Sequence, residues 1–427
     1  MVKPSQILGI NARNQLYTSL NSRESKRFGF SKLRTKNFLA KHGIGVPHLF
    51  AKVTSTEELR SIDFRSFGNS FALKPVNGSE GKGIIVIKRY DKKKDKFIDV
   101  ANEEWTQKDL SLHAGDILQG AYSTWGQQHM ALIEERVPVH PDLEQYVEMG
   151  TPDVRVVVFN KIPVMAGCRI PTKASAGKAN IHRGALMLGI DFGTGETTYG
   201  LSGLNSPIRT FPHSNISVRG VKIPFWGELL KTAVRTANAT GFVYVGVDMF
   251  MHPEKGPMVA EINGFPGLGI QLANHAGLKR RLQRVEEIDA RSVSHAVRIG
   301  RALFAENVAV DGADAAERAI IATKEILGVF DEKEKIHDVA ALINTGRFRS
   351  AISRELAHKL GVLSVGDTLW NQEIEEEGKV PVIEVRFKLK DRIITTTMLV
   401  TKKLDGKGHA IELGRKDLGG FLVGETQ

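Results

Sequence analysis

The 427-residue sequence predicts an α+β protein of more than one unit, and three observations carry that expectation. Short apolar runs with strand character are separated by turn residues, as at 242–250 and 258–262 around His252-Pro253-Glu254-Lys255-Gly256. Helical stretches stand among them, at 31–41 and 225–239. The last part, from 336 on, is strand-rich with one helix at 353–360. At roughly 100–200 residues per domain, a chain of this length holds about two to four units.

Taken in order, the helix at 31–41 ends at Gly43, and Val46-Pro47 opens an extended segment. A strand at 71–75 leads through Val76-Asn77-Gly78-Ser79-Glu80-Gly81-Lys82-Gly83 into a second strand at 84–87. A Walker loop would lead into a helix instead, which disfavours that reading. Strands follow at 131–139, 154–159 and 162–170. Residues 281–330, rich in Ala, Arg and Glu, read as mostly helical, and 331–335 as a charged linker. No internal repeat is present.

Hydrophobic residues make up 41%, enough for packed cores, and no run approaches the ~20 apolar residues of a membrane span. The polar N-terminal segment lacks an apolar signal core. The single cysteine, Cys168, forbids an intramolecular disulfide or a zinc site of several thiolates. A cytoplasmic protein is the expectation. The net charge of +11 invites a nucleic-acid partner. Aromatics are only 7%, however, and no aromatic-rich RNA-binding motif accompanies the charge. We therefore read it as a solvated basic surface, or as a field that draws in an acidic substrate such as a glutamate-rich peptide.

Metal–phosphate chemistry needs hard oxygen ligands, and magnesium commonly takes one or two carboxylates plus phosphate oxygens and water. Asp248 lies on one strand of the predicted pair; Glu261 and Asn263 lie on the other, two apart and so on one face. Two carboxylates and an amide oxygen can converge there. The bland alternative is two chance acids on a half-exposed hairpin. Lys74, at a strand end, can meet a phosphate. The loop with Gly78, Ser79, Gly81, Lys82 and Gly83 offers open backbone N–H groups. Lys32 supplies a second cation. Ile133-Glu134-Glu135-Arg136-Val137 runs from apolar to acidic, as a hinge that reads an adenine edge would. Cys168, between strand residues, reads as a small core residue. His182, in a loop beside Asn180, is a candidate substrate contact.

These pieces, with Gly9-Ile10-Asn11-Ala12-Arg13-Asn14, Ser31-Lys32-Leu33-Arg34-Thr35-Lys36, Thr151-Pro152-Asp153-Val154-Arg155, Gly177-Lys178-Ala179-Asn180-Ile181-His182-Arg183-Gly184 and Glu261-Ile262-Asn263-Gly264-Phe265-Pro266-Gly267-Leu268, resemble an ATP-grasp enzyme. The similarity is to the alpha-L-glutamate ligase-like group, related to the ligase that adds glutamates to a ribosomal protein C-terminus (RimK type). It covers about residues 5–285. The resemblance implies an ATP-grasp fold and ATP with Mg2+, Mn2+ being the alternative. Lys32 and Lys74 would contact phosphates, Glu134 to Val137 the adenine, and Asp153, Lys178 and Asn180 the nucleotide or substrate side. Asp248, Glu261 and Asn263 match the magnesium ligands. Arg155, Arg169 and Arg183 would hold the substrate carboxylate or the acyl phosphate; the alternative for them is structural pairing with Asp153 or Asp191. Glu80 departs from the group, which usually has glycine there.

Ala340-Ala341-Leu342-Ile343-Asn344-Thr345-Gly346 and the later Leu413-Gly414-Arg415 resemble a retropepsin-like domain, including the type found beside such ligases (RimB type). Asn344 stands at the catalytic aspartate position, and an amide cannot serve in a proton-sharing carboxylate pair. The implied organisation is a ligase domain at 1–285, a helical connector and linker at 286–335, and a small all-β barrel at 336–427 without aspartic-protease activity. It would pair with its twin in a homodimer or higher oligomer, or grip the product. The expected function is an ATP-dependent ligase that adds an amino acid such as glutamate to a peptide or protein. The alternatives are a bifunctional or peptidase-like protein, and a non-catalytic ATP-sensing adaptor.

Overall fold

The computed structural model describes residues 3–76, 81–122, 130–203, 205–305 and 319–424. They divide into two compact units, Met1–Glu287 and Ile288–Gln427. The first unit carries two sheets. The smaller contains β1 (Leu49–Val53), β2 (Phe71–Pro75), β3 (Ile85–Asp91), β4 (Lys96–Asp99), β5 (Glu104–Trp105) and β6 (Ala131–Glu135). All pairings are antiparallel, in the order β1-β6-β2-β3-β4-β5. The helix Gln107–Leu118 buries Leu110, Ala114, Ile117 and Leu118, a three-to-four-residue spacing that gives it one apolar stripe. That stripe packs with Phe64, Phe71 and Phe97 into one core. Thr106 and Asp109 exchange side-chain-to-backbone bonds at its start, which satisfies two orphan N–H groups.

The larger sheet contains β7 (Asp153–Phe159), β8 (Ile162–Ile170), β9 (Leu186–Ile190), β10 (Thr197–Ser202), β11 (Ser206–Ile208), β12 (Tyr244–His252) and β13 (Gly256–Asn263), in the order β11-β10-β9-β8-β7-β12-β13. β7 and β8 are buried along their whole length, so both faces are covered. The helix Trp226–Thr240 packs on β7 and β12, Gly269–Ala273 packs on β8, β9 and β10, and Leu278–Gln283 packs on β8. The helix Lys32–Lys41, capped by Ser31, packs beside β13. No helix among the described residues is long and apolar enough to cross a membrane.

The second unit begins with the helix Val293–Phe304, followed by β14 (Ala319–Ile321), β15 (Lys324–Phe330), β16 (Ile336–Ile343), β17 (Ala351–Ser353), β18 (Thr368–Ile374), β19 (Gly378–Leu389), β20 (Arg392–Thr401), β21 (Ile411–Leu413) and β22 (Phe421–Val423). The order β15-β16-β21-β17-β20-β19 closes where β19 returns to β15, which makes a six-strand barrel. β18 extends β19 outside the ring, and β14 pairs with β22 in parallel. Leu327, Val329, Val339, Val385, Phe387 and Met398 are among the residues that fill the interior.

One expectation is corrected here. Residues 319–321 and 324–330 are strands, not part of a helical connector, and 331–335 is the turn of the β15–β16 hairpin. Asp331 accepts backbone N–H bonds from Lys333 and Lys335, both 2.9 Å, so the charged residues close a tight turn. The Ala-, Arg- and Glu-rich average over 281–330 conceals the alternating burial of β15.

Candidate active site

The register of the larger sheet builds a cluster of four buried charges. Arg155 on β7 lies opposite Asp248 on β12, Asp153 on β7 lies opposite Arg169 on β8, and Glu261 on β13 lies opposite Asp248 on its other flank. Arg155 donates Nε and Nη2 to the two Asp248 oxygens, both at 2.6 Å. Arg169 donates Nε and Nη2 to Asp153 at 2.6 and 2.5 Å, and Nη2 also reaches Asp248 Oδ2 at 2.6 Å. Two guanidinium groups and two carboxylates balance. Burial works against the charge of Asp248, but Arg155 and Arg169 outweigh it and hold the carboxyl below its usual range. Burial dominates at Asp153, pushing it up to about 6 in spite of Arg169. Gly246, next to this cluster, admits the loop after β13: a Cβ there would lie 2.8 Å from Pro266 Cβ. The Cys168 thiol is buried and pushed up by that burial, in keeping with a core role.

Glu261 is half-exposed, with Lys32 Nζ 3.5 Å away. Asn263 accepts the Phe265 backbone N–H at 2.9 Å. Among the described residues no three His, Cys, Asp or Glu side chains converge as a metal cage. Asp248 and Glu261 are cross-strand neighbours, and Asn263 lies two positions beyond Glu261 on β13.

Across the unit, Lys74 on β2 ion-pairs with Glu134 on β6, and so does Lys36 from the helix Lys32–Lys41. Burial raises Glu134, but Lys74 and Lys36 together hold its carboxyl below the usual range. Burial, with Lys74 nearby, brings Lys36 down to about 8. The Glu134 side chain, expected at an adenine, thus faces two lysines. That of Glu135 is also engaged: the His48 N–H donates to it at 3.0 Å, Lys255 ion-pairs with it, and His252 Nε2 lies 3.6 Å away. This group ties β6 to the β12–β13 turn. Arg136 is half-buried with its charge disfavoured by that burial, and Val137 is buried.

Gly78 and Ser79, with Glu80, lie outside the described residues. Lys82 is exposed. Gly83 has φ +71°, and a Cβ there would meet the Tyr122 ring at 2.6 Å. His113 Nε2 bonds the Gly83 carbonyl at 3.0 Å and Tyr122 Oη bonds His113 Nδ1 at 3.2 Å, which anchors the end of the loop. Gly81 abuts Lys178, whose Cδ would lie 3.0 Å from a Cβ. The loop between β8 and β9 thereby meets the glycine loop of the smaller sheet. Asn180 accepts the His182 N–H at 3.0 Å; His182 is exposed. Arg183 carries no ion pair among the described residues.

The larger sheet carries the Arg155–Asp248–Arg169–Asp153 cluster, and Lys74, Glu134 and Lys36 meet on the smaller one. The family described as sugar-transfer associated ATP-grasp matches residues 11–287. The chain belongs to this ATP-grasp family. Among curated proteins, the ATP-grasp unit is similar to a probable alpha-L-glutamate ligase of Syntrophotalea carbinolica, 25% identical over 275 residues, 64% of this chain and 66% of that protein. A second, from Aeromonas salmonicida, is 23% identical over 273 residues, 64% of this chain and 68% of that protein. The chain therefore spans just under two-thirds of the first relative. Solved structures that resemble it include D-alanine–D-alanine ligase from Bacillus anthracis complexed with ATP (TM-score 0.36, 16% identity, 64% of this chain and 69% of that one). The ATP-grasp ligase PsnB complexed with a minimal precursor gives TM-score 0.35 at 16% identity, over 62% of each chain.

Against this ATP-grasp unit, two expectations change. Arg169 is held by Asp153, the pairing alternative, and also by Asp248, while Arg155 is held by Asp248, a partner not expected for it; neither is left open for a substrate carboxylate. The side chains of Glu134 and Glu135 are committed to cations, so these two residues have only their backbone atoms left for a base. Lys36 was not singled out by its sequence. The one signal was its place one helical turn after Lys32, on the same face. In the sequence His252 and Lys255 stand only as turn residues.

In the barrel unit, Asn344 follows β16. Its Nδ2 donates to Glu412 at 3.2 Å, and its Oδ1 accepts the Gly346 N–H at 3.1 Å. Arg347 donates to the same Glu412 oxygen at 2.7 Å.

Proposed function

We propose that the ATP-grasp unit joins a carboxylate to an amine with ATP. The substrate carboxylate takes the γ-phosphoryl group and ADP leaves. The amine then attacks the acyl carbon, phosphate leaves and an amide results. The relatives are named probable alpha-L-glutamate ligases, which supports glutamate, or a similar amino acid, added to a peptide or protein. The observation that carries the reading is the register setting Arg155 and Glu261 on either flank of Asp248, in a cluster closed by Asp153 and Arg169.

Asp248, Glu261 and Asn263 would hold magnesium, which neutralises charge on phosphoryl oxygens when bound. The donors fit: a carboxylate has about four acceptor positions, and the arginines occupy three at Asp248. Manganese suits the same oxygens. Arg155 and Arg169 keep Asp248 ionised and oriented. Arg183 is the guanidinium proposed for the substrate carboxylate, which it can bind through two N–H groups. Lys32, Lys74 and Lys178, with the glycine loop, would neutralise and position the phosphates.

We read the barrel as retropepsin-like and as a grip for the peptide or a dimer contact. Asn344 stands where a carboxylate would be needed, which supports binding over cleavage. Purified protein with ATP, Mg2+, an acid and an amine should release ADP and phosphate. Glu261→Ala, at a half-exposed side chain, should fold and lose that turnover; unchanged turnover would remove the metal-site assignment.

A further inference from the structure

We propose that Lys36 is a positioning residue of the nucleotide site, acting on Lys74 through the Glu134 carboxylate that the two lysines share. The proposal rests on the ATP reading above. Register pairs Lys74 with Leu132 and Ala72 with Glu134, so Lys74 and Glu134 are diagonal neighbours on one face of the smaller sheet. Lys36 arrives from the helix Lys32–Lys41 and meets Oε2 of Glu134, while Lys74 meets Oε1. Its Nζ also donates to the Pro47 carbonyl at 3.4 Å. The three side chains are only 4%, 6% and 9% exposed.

Buried charges of this kind are stable only when paired. One lysine would suffice to neutralise Glu134. A lone Lys74–Glu134 pair would be closed: moving Lys74 onto a phosphate would strand a buried carboxylate. With Lys36 present, Glu134 keeps a counter-ion when Lys74 turns to a phosphate. The three groups also sum to +1, a charge that an entering phosphate oxygen offsets. Lys36 therefore makes Lys74 transferable. One turn earlier on the same helix, Lys32 lies beside Glu261 of the other sheet. The helix thus brings one cation to each of two carboxylates. A purely structural anchor would instead fix the helix to the sheet and leave nucleotide affinity alone.

The test is calorimetric titration of the full chain with ATP and Mg2+, beside a thermal melt, for the wild type, Lys36→Met, Lys36→Arg and Lys74→Met. The expectation is that Lys36→Met weakens ATP about tenfold or more, as loss of a buried partner charge does, while Lys36→Arg stays within about threefold of wild type. Lys36 faces Lys74, Glu134 and Glu135. Wild-type affinity should therefore fall between pH 7 and 9, and Lys36→Arg, which keeps its charge, should hold its affinity. Wild-type affinity in Lys36→Met, or equal weakness in both Lys36 variants, overturns the proposal. So do identical pH profiles of wild type and Lys36→Arg, a comparison that stands even where Lys36→Met does not fold. If neither the wild type nor Lys74→Met binds ATP, it is the nucleotide reading itself that fails.

Discussion

Removing Arg169 tests the buried charge cluster. The residue is 9% exposed and donates three bonds of 2.5–2.6 Å, two to Asp153 and one to Asp248. In Arg169→Met, Asp248 keeps Arg155, so the stranded charge is Asp153. Breaking a buried pair in this way costs roughly 3–5 kcal/mol. Asp153 already sits at about 6 while Arg169 lowers it, so losing Arg169 pushes the carboxyl further up and lets it take up a proton. That escape puts the cost near the lower bound, about 3 kcal/mol. Urea unfolding of the ATP-grasp unit, followed by the fluorescence of Trp105 and Trp226, should show a midpoint lower by about 1 M at unchanged slope. The double variant Arg169→Met/Asp153→Leu should recover at least half the loss, since it removes the stranded charge. A shift under about 0.3 M, or a double variant no more stable than the single one, would refute the reasoning.

Further outcomes follow from individual contacts. Asp153 has its folded pKa raised from 3.8 to about 6, so its stabilising contribution is full below 3.8 and is lost as pH rises through 6. Asp153→Asn should therefore flatten the stability change between pH 4 and 6 in urea titrations. Gly83→Ala places a Cβ against the Tyr122 ring at an unfavourable φ; it should lower the melting temperature and weaken ATP in a binding titration. Ser350 donates to the buried Asp417 and accepts the Gly414 N–H at 3.0 Å; Ser350→Ala should cost the barrel unit about 2 kcal/mol by chemical denaturation. Asn344→Asp sets a second carboxylate beside Glu412; it should lower the melting temperature of the barrel without producing peptide cleavage in a fluorogenic assay.

Apolar runs made much of the fold legible. The strand pairs at 153–170 and 244–263 follow from continuous β-branched and apolar stretches around turn residues, and Asp248, Glu261 and Asn263 could be placed on them by alternation alone. Side-chain partners could not be read in this way. Arg155 and Asp248 are 93 positions apart, and Arg169 and Asp153 meet only through the β7–β8 register, which a one-residue slip would reverse. Nothing local to Lys36 signals Glu134, which lies on a strand nearly a hundred residues later. β14 and β15 were concealed because a compositional average over fifty residues has no period.

The central claim, ligation by way of an acyl phosphate, is tested most directly by mass spectrometry of one reaction. The full chain is incubated with ATP, Mg2+, isotopically labelled glutamate and the peptides and proteins of a cell lysate. The account predicts a species heavier by one or more labelled residues, with ADP and phosphate formed in equal amount and both absent with Glu261→Ala. Labelled product accompanied by AMP and pyrophosphate would contradict it, as would ADP release with no gain of mass on any amine or acid.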